Sequence, residues 1–150
     1  MAAPRATPGD ADRLFVVKYV MDFTQTAYDV ARAMKEKAYA PYSKFHVGAA
    51  VKAAGDATIY GGCNIENASF GAGVCGERVA VFNAVAARGK ADLEFMVLVT
   101  DAKPAAVPCA ICLQVLAEFC PPEFKIHLAT MDGIERTVAL RDLLPEPFTL

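Results

Sequence analysis

Apolar side chains at Val16, Val20, Phe23, Ala27, Val30, Met34 and Ala38 recur every three or four residues, the stripe of a helix packed on one side. Asp12 stands where such a helix would take its N-cap, and Pro41 would stop it. Short β-prone runs follow at Val47–Ala53 and 58–63, and the Ala54-Gly55-Asp56-Ala57 stretch between them predicts a hairpin. Residues 75–88 are rich in Val and Ala and end at Gly89, which predicts a second helix. Leu93–Thr100, reading LEFMVLVT, is apolar almost throughout and predicts a strand covered on both faces. Pro108 introduces a third helix from 109 to 119, closed by Pro121-Pro122. Two more strands, Lys125–Thr130 and 134–140, flank the turn signal Asp132-Gly133, and a last helical turn covers 141–144. Helices and strands alternating in this order predict an α/β sandwich around a mixed sheet. The longest stretch without regular pattern, 64–74, is where function is expected to sit.

Composition narrows the class. Of 150 residues 55% are hydrophobic and 21% charged, which supports one compact domain and excludes a low-complexity chain. Residues 1–12 mix Ala, Pro, Thr, Gly and Asp without an apolar signal segment, so they are expected to form a disordered extension ahead of a single domain at 13–150. The apolar run 14–23 is broken by Lys18 and Asp22 and is too short to span a membrane. Fifteen Lys+Arg against 17 Asp+Glu leave a formal net charge of −2, so no basic field invites a nucleic-acid backbone. A cytoplasmic protein with a small-molecule ligand, and with neither a membrane nor a nucleic-acid partner, is the expectation. A mean hydropathy of +0.29 is high for so small a chain, and it implies either an unusually complete core or faces buried against other subunits.

The chemistry lies in the cysteines. Five of them are too few, and odd in number, for a disulfide framework. Three, Cys75, Cys109 and Cys112, fall at the predicted starts of two helices, where free N–H groups and the helix dipole stabilise thiolates. Three thiolates around Zn²⁺ leave one negative charge, which Arg78, one turn beyond Cys75, can offset. Such a site also keeps a fourth position open, the mark of a catalytic rather than a structural zinc. Glu77, two residues after Cys75, can act there as proton carrier without being a ligand. Cys109 and Cys112 alone could instead be a redox pair or two buried small hydrophobes, but neither explains a third cysteine two residues before a glutamate. Cys63 and Cys120 read as buried thiols, and His46 and His127 as structural or exposed residues.

Cys75-Gly76-Glu77 followed by Pro108-Cys109-Ala110-Ile111-Cys112 is the signature of zinc deaminases in its three-cysteine form. Further blocks extend the likeness: Ala40-Pro41-Tyr42-Ser43-Lys44-Phe45-His46-Val47-Gly48-Ala49-Ala50, Gly62-Cys63-Asn64-Ile65-Glu66-Asn67-Ala68-Ser69, and Leu143-Leu144-Pro145-Glu146-Pro147-Phe148. With them the chain resembles the short, homotetrameric cytidine deaminases. The resemblance implies a three-layer α/β/α sandwich, one zinc per chain on Cys75, Cys109 and Cys112, and Glu77 as the catalytic acid and base. It also implies that Asn64 and Glu66 hydrogen-bond the ribose 3′-hydroxyl, that Phe45 packs on the pyrimidine, and that the Gly76 backbone contacts the base. Phe70 and Phe148 would enter a neighbouring subunit's site. The implied reaction is hydrolytic deamination of cytidine and deoxycytidine in pyrimidine salvage.

Some positions depart from the family. Gly76 replaces the usual Ala, Phe70 the usual Tyr, and Gly71-Ala72-Gly73 a stretch often containing Pro. Ala110 and Ile111 replace Gly-Ala, and Leu113 replaces an Arg after the third cysteine. These leave open a relative acting on another aminated nucleoside, such as a blasticidin-type antibiotic. A zinc-stabilised interaction module is a further alternative, and it requires a fourth protein ligand, with Cys63 or Cys120 as candidates. For an assembly, Leu14, Val17 and Met21 supply apolar positions off the main stripe of the first helix.

Overall fold

The structure, a computed structural model, describes residues 22–55, 57–90 and 92–150. Asp12, Val16, Val20, and the proposed assembly positions Leu14, Val17 and Met21 lie outside them, as does the 1–12 extension. The first described helix, α1, spans Phe23–Lys35 and takes its cap from Asp22, whose carboxylate accepts from the amides of Thr24 at 3.1 Å and Gln25 at 3.3 Å. Its end corrects the expected stop at Pro41. The amides of Lys37 and Ala38 bond back only three residues, and Tyr39 then leaves the helix to pair with the 64–66 segment. There its N–H donates to the Asn64 carbonyl at 3.0 Å, and its carbonyl accepts from the Glu66 amide at 2.8 Å.

The remaining elements fall close to their expected places. They are β1 (Val47–Ala53), β2 (Ile59–Cys63), α2 (Gly76–Arg88), β3 (Leu93–Thr100), α3 (Ala110–Phe119), β4 (Lys125–Thr130), β5 (Gly133–Ala139) and the short α4 (Leu140–Leu143). The strands form one mixed sheet in the order β2-β1-β3-β4-β5. Only the β3–β4 pair is parallel, joined through α3, as a crossover connection requires.

Alternation along the central strands sends side chains to both faces, and each face is covered. On one side Ala27, Tyr28 and Ala31 of α1 pack against Ala50, Val97, Val99 and Ala129. On the other, Ala80, Val81 and Ala84 of α2 and Leu113 and Leu116 of α3 meet Ala49, Val51, Met96, Leu98, Ile126 and Leu128. This is the expected three-layer α/β/α sandwich, and double coverage is why β3 reads as an apolar run rather than an alternating one. Among the described residues no helix is long and apolar enough to cross a membrane.

Two glycines let the helices approach the sheet edge that carries the site. A Cβ on Gly48 would stand 2.0 Å from the Ala31 carbonyl oxygen of α1, and one on Gly62 would stand 2.3 Å from the Ala80 nitrogen of α2. Both obstacles are backbone, so a helix must move rather than a side chain turn. Gly48→Ala and Gly62→Ala are each expected to cost about 3 kcal/mol through overpacking. Thermal unfolding should show a fall in Tm of roughly 10 °C for a domain of this size.

Candidate metal and catalytic site

The site forms where the N-termini of α2 and α3 meet at one end of the sheet. Cys75 and Cys109 are the residues immediately before the two helices, in extended conformation, and their side chains make no capping bond. Their carbonyls accept the first helical bonds instead, from Val79 at 3.2 Å and Leu113 at 3.0 Å. Cys112 sits in the first turn of α3 and is buried. Each approach is fixed locally. Val74 and Ile65 exchange backbone bonds at 2.9 and 3.0 Å just before Cys75. Upstream of Cys109, Ala105 N–H donates to the Glu135 carboxylate at 2.7 Å and Ala106 N–H to the Thr100 hydroxyl at 3.4 Å.

The three sulfurs lie within 4.8 Å of one another, with Cys75–Cys109 at 3.9 Å and Cys109–Cys112 at 3.5 Å. Tetrahedral zinc with Zn–S bonds of about 2.3 Å would separate its sulfurs by about 3.8 Å. The donor set therefore fits a zinc ion with little movement. Among the described residues no fourth Cys, His or carboxylate joins this cluster. Cys63 and Cys120 stand outside it, and burial raises both thiols, Cys120 to about 12.

Charge around the sulfurs is set by neighbouring side chains and burial. The Cys75 thiol is pulled down to about 5, first by a bond from Cys112, then by Arg78 and Cys109, against the upward push of burial. Cys112 is pushed up, first by the same bond to Cys75 and then by burial. Arg78 holds its Nη2 3.8 Å from the Cys75 sulfur and 3.5 Å from the Gly73 carbonyl oxygen. Leu113, where the resemblance implies an Arg, is buried among the core residues of the sheet and adds no polar group here.

Glu77 is the chemically unusual residue. It is a carboxyl only 5% exposed in the first turn of α2, and burial pushes it up to about 7. It opens with Cys75 and Cys109 onto a cavity of about 240 Å³. Phe45, Val47, Leu98 and Val107 give that cavity apolar walls, while Ser43, Asn64, Glu66 and Thr100 supply its polar groups. Gly76 is not among the residues lining it; it is buried at the start of α2, where a Cβ would come 3.2 Å from the Cys63 Cα.

The expected sugar-binding pair lines this cavity, already engaged with its own loop. Asn64 Oδ1 accepts from the Val47 amide at 2.8 Å and its Nδ2 donates to the Phe45 carbonyl at 2.8 Å. One amide hydrogen remains for a ligand. Glu66 accepts from the Tyr42 amide at 2.8 Å, the Ser43 amide at 3.2 Å and the Ser43 hydroxyl. The hydroxyl bond first, with the amides, holds its carboxyl below the usual range. Phe70 and Phe148 do not line the cavity of their own chain. Phe70 stands 82% exposed beside Tyr42, and Phe148 is 70% exposed, with its backbone clasped by the Gln114 amide at 2.9 and 3.1 Å. Sequence reasoning missed Ser43, Leu98, Thr100 and Val107. The signal for the last three was their place at or just beyond the end of a buried strand next to the Pro-Cys motif.

Convergent thiols beside a buried acid, on a mixed α/β/α sandwich, define a metal centre built to activate water. Residues 21–128 match the family model described as the cytidine and deoxycytidylate deaminase zinc-binding region. The chain is 42% identical over 115 residues to a cytidine deaminase of Halalkalibacterium halodurans, covering 77% of this chain and 86% of the relative. It is 40% identical over 119 residues to that of Sporosarcina psychrophila, covering 79% and 86%. Among solved structures, a cytidine deaminase from Burkholderia pseudomallei superposes with a TM-score of 0.75 at 39% identity, covering 83% of this chain and 98% of that one. One from Mycobacterium tuberculosis gives 0.72 at 33%, covering 85% and 98%. The chain belongs to this family of zinc-dependent hydrolytic deaminases.

Proposed function

We propose that this protein converts cytidine and deoxycytidine to uridine and deoxyuridine with release of ammonia. Cys75, Cys109 and Cys112 hold one zinc ion per chain, with Arg78 offsetting their excess negative charge. When bound there, zinc acts as a Lewis acid that makes a water molecule nucleophilic near neutral pH. Glu77 takes a proton from the attacking water and places it on N3 as the water oxygen bonds to C4. It then carries a proton to the departing amine. A carboxyl lifted toward neutrality by burial is suited to both transfers. Phe45 packs on the pyrimidine, the backbone at Gly76 contacts the base, and Asn64 with Glu66 bonds the ribose 3′-hydroxyl.

The observation carrying this reading is a buried Glu77 sharing one cavity with two of three convergent cysteines. An absorbance assay with cytidine, deoxycytidine and a blasticidin-type substrate, with zinc quantitation, tests it. Turnover of the first two with one zinc per chain is expected. Zinc without turnover of any of the three would favour an interaction module.

The finer reading is a cytoplasmic salvage enzyme, one domain at 13–150, working as a homotetramer with composite sites. Phe70 and Phe148 support the assembly: both are large, exposed and absent from the cavity of their own chain that holds Glu77. Tyr39, Ile65, Phe82 and Ile111 add exposed apolar surface. Light scattering is expected to give four chains per particle, and a stable, active monomer would contradict it.

A further inference from the structure

Between the residues that meet the base and those that meet the sugar, one side chain joins the two. The Ser43 hydroxyl donates to Glu66 Oε1 and accepts from the Phe45 backbone N–H at 3.0 Å. Lys44 lies between them at φ 59°, in the left-handed region that side chains other than glycine rarely adopt. This turn is held on both sides. Glu66 binds the amides of Tyr42 and Ser43 ahead of the strained residue, and the Ser43 hydroxyl binds the amide of Phe45 behind it. Residues held this way keep an unfavourable backbone only while their surroundings fix it. Ser43 and Glu66 also line both the cavity of the site and a neighbouring apolar cavity of about 460 Å³ bounded by Tyr42 and Phe70.

We propose that Ser43 is a positioning residue, relaying the placement of the Glu66 carboxylate to the Phe45 backbone so that sugar recognition and base packing are set together. This rests on the proposed nucleoside deamination for its meaning, but not for its test. Glu66 makes no direct bond to Phe45; Ser43 is the side chain that joins the Glu66 carboxylate to the Phe45 amide, while Asn64 separately holds the Phe45 carbonyl. A hydroxyl has one proton to give, and here it goes to Glu66, leaving an oxygen lone pair for the amide.

Amide hydrogen exchange in the full-length, zinc-loaded protein reads the relay directly. Exchange at the Phe45 amide is expected to quicken at least tenfold in Ser43→Ala, and also in Glu66→Ala, while Ser43→Thr keeps it slow. Slow exchange in Glu66→Ala overturns the proposal. In turnover, Ser43→Ala is expected to raise KM about tenfold for cytidine with kcat within threefold, to raise it severalfold as well for an analogue lacking the 3′-hydroxyl, which reads the base packing alone, and Ser43→Thr to restore both. A rise confined to cytidine would show that base packing does not depend on Ser43 and would overturn the relay. If the wild-type chain deaminates neither compound, the deamination reading fails, and the exchange measurement still decides the link.

Discussion

Glu77→Gln is expected to lower kcat/KM for cytidine about 10⁴-fold while zinc content and Tm stay at their wild-type values. Glutamine keeps the size and shape of the side chain, so the buried position in the first turn of α2 remains filled. What it loses is the ability to take and return a proton. One positioned general acid or base typically contributes about 10²–10⁴ in rate, and Glu77 is asked to serve in both protonations, which places its loss at the upper end. At about 1.36 kcal/mol per decade, that is about 5.5 kcal/mol of transition-state stabilisation. The effect should lie in kcat rather than KM, because the apolar walls and the sugar-facing groups are untouched. Steady-state kinetics beside metal analysis checks it, and a variant turning over within tenfold of wild type would remove Glu77 from the chemistry.

The chain's punctuation is why so much of this was readable before the fold was seen. Gly89, Pro108 and Asp132-Gly133 each mark a change of element: α2 ends at Arg88, α3 begins two residues after Pro108, and β5 begins at Gly133. The thiols were legible because Cys75 and Cys109 directly precede helices whose starts the sequence marks. Other features follow from tertiary contacts that local spacing does not carry. The cap at Asp22 was missed because apolar spacing runs upstream through it, and periodicity marks the buried stripe of a helix, not its first residue. The stop at Lys35 depends on Tyr39 pairing with the 64–66 segment, and the turn at Lys44 on Glu66, 22 residues further along. The resemblance implies that Asn64 hydrogen-bonds the sugar. Its oxygen receives the Val47 amide and its NH2 reaches the Phe45 carbonyl, bonds across 17 and 19 residues that local spacing does not announce.

Cys112→Ala is expected to leave the purified protein with less than a tenth of a zinc per chain and no measurable deamination. Cys112 is one of three sulfurs in the cluster among the described residues, and two thiols cannot hold zinc against exchange with solvent and buffer. Binding to the native state alone stabilises it, by about 4 kcal/mol at a thousandfold excess over Kd. Losing the ion should therefore lower Tm as well as activity. The informative comparison is with wild-type protein stripped by a chelator. Both should unfold at similar temperature, since the cysteine-to-alanine change removes a single small side chain from the core, but added zinc should rescue only the wild type. Cys63→Ala and Cys120→Ala complete the argument. Both thiols stand outside the cluster and are held protonated by burial, so both variants should retain a full complement of zinc. Loss of zinc in either would supply a fourth protein ligand, closing the position that water activation requires.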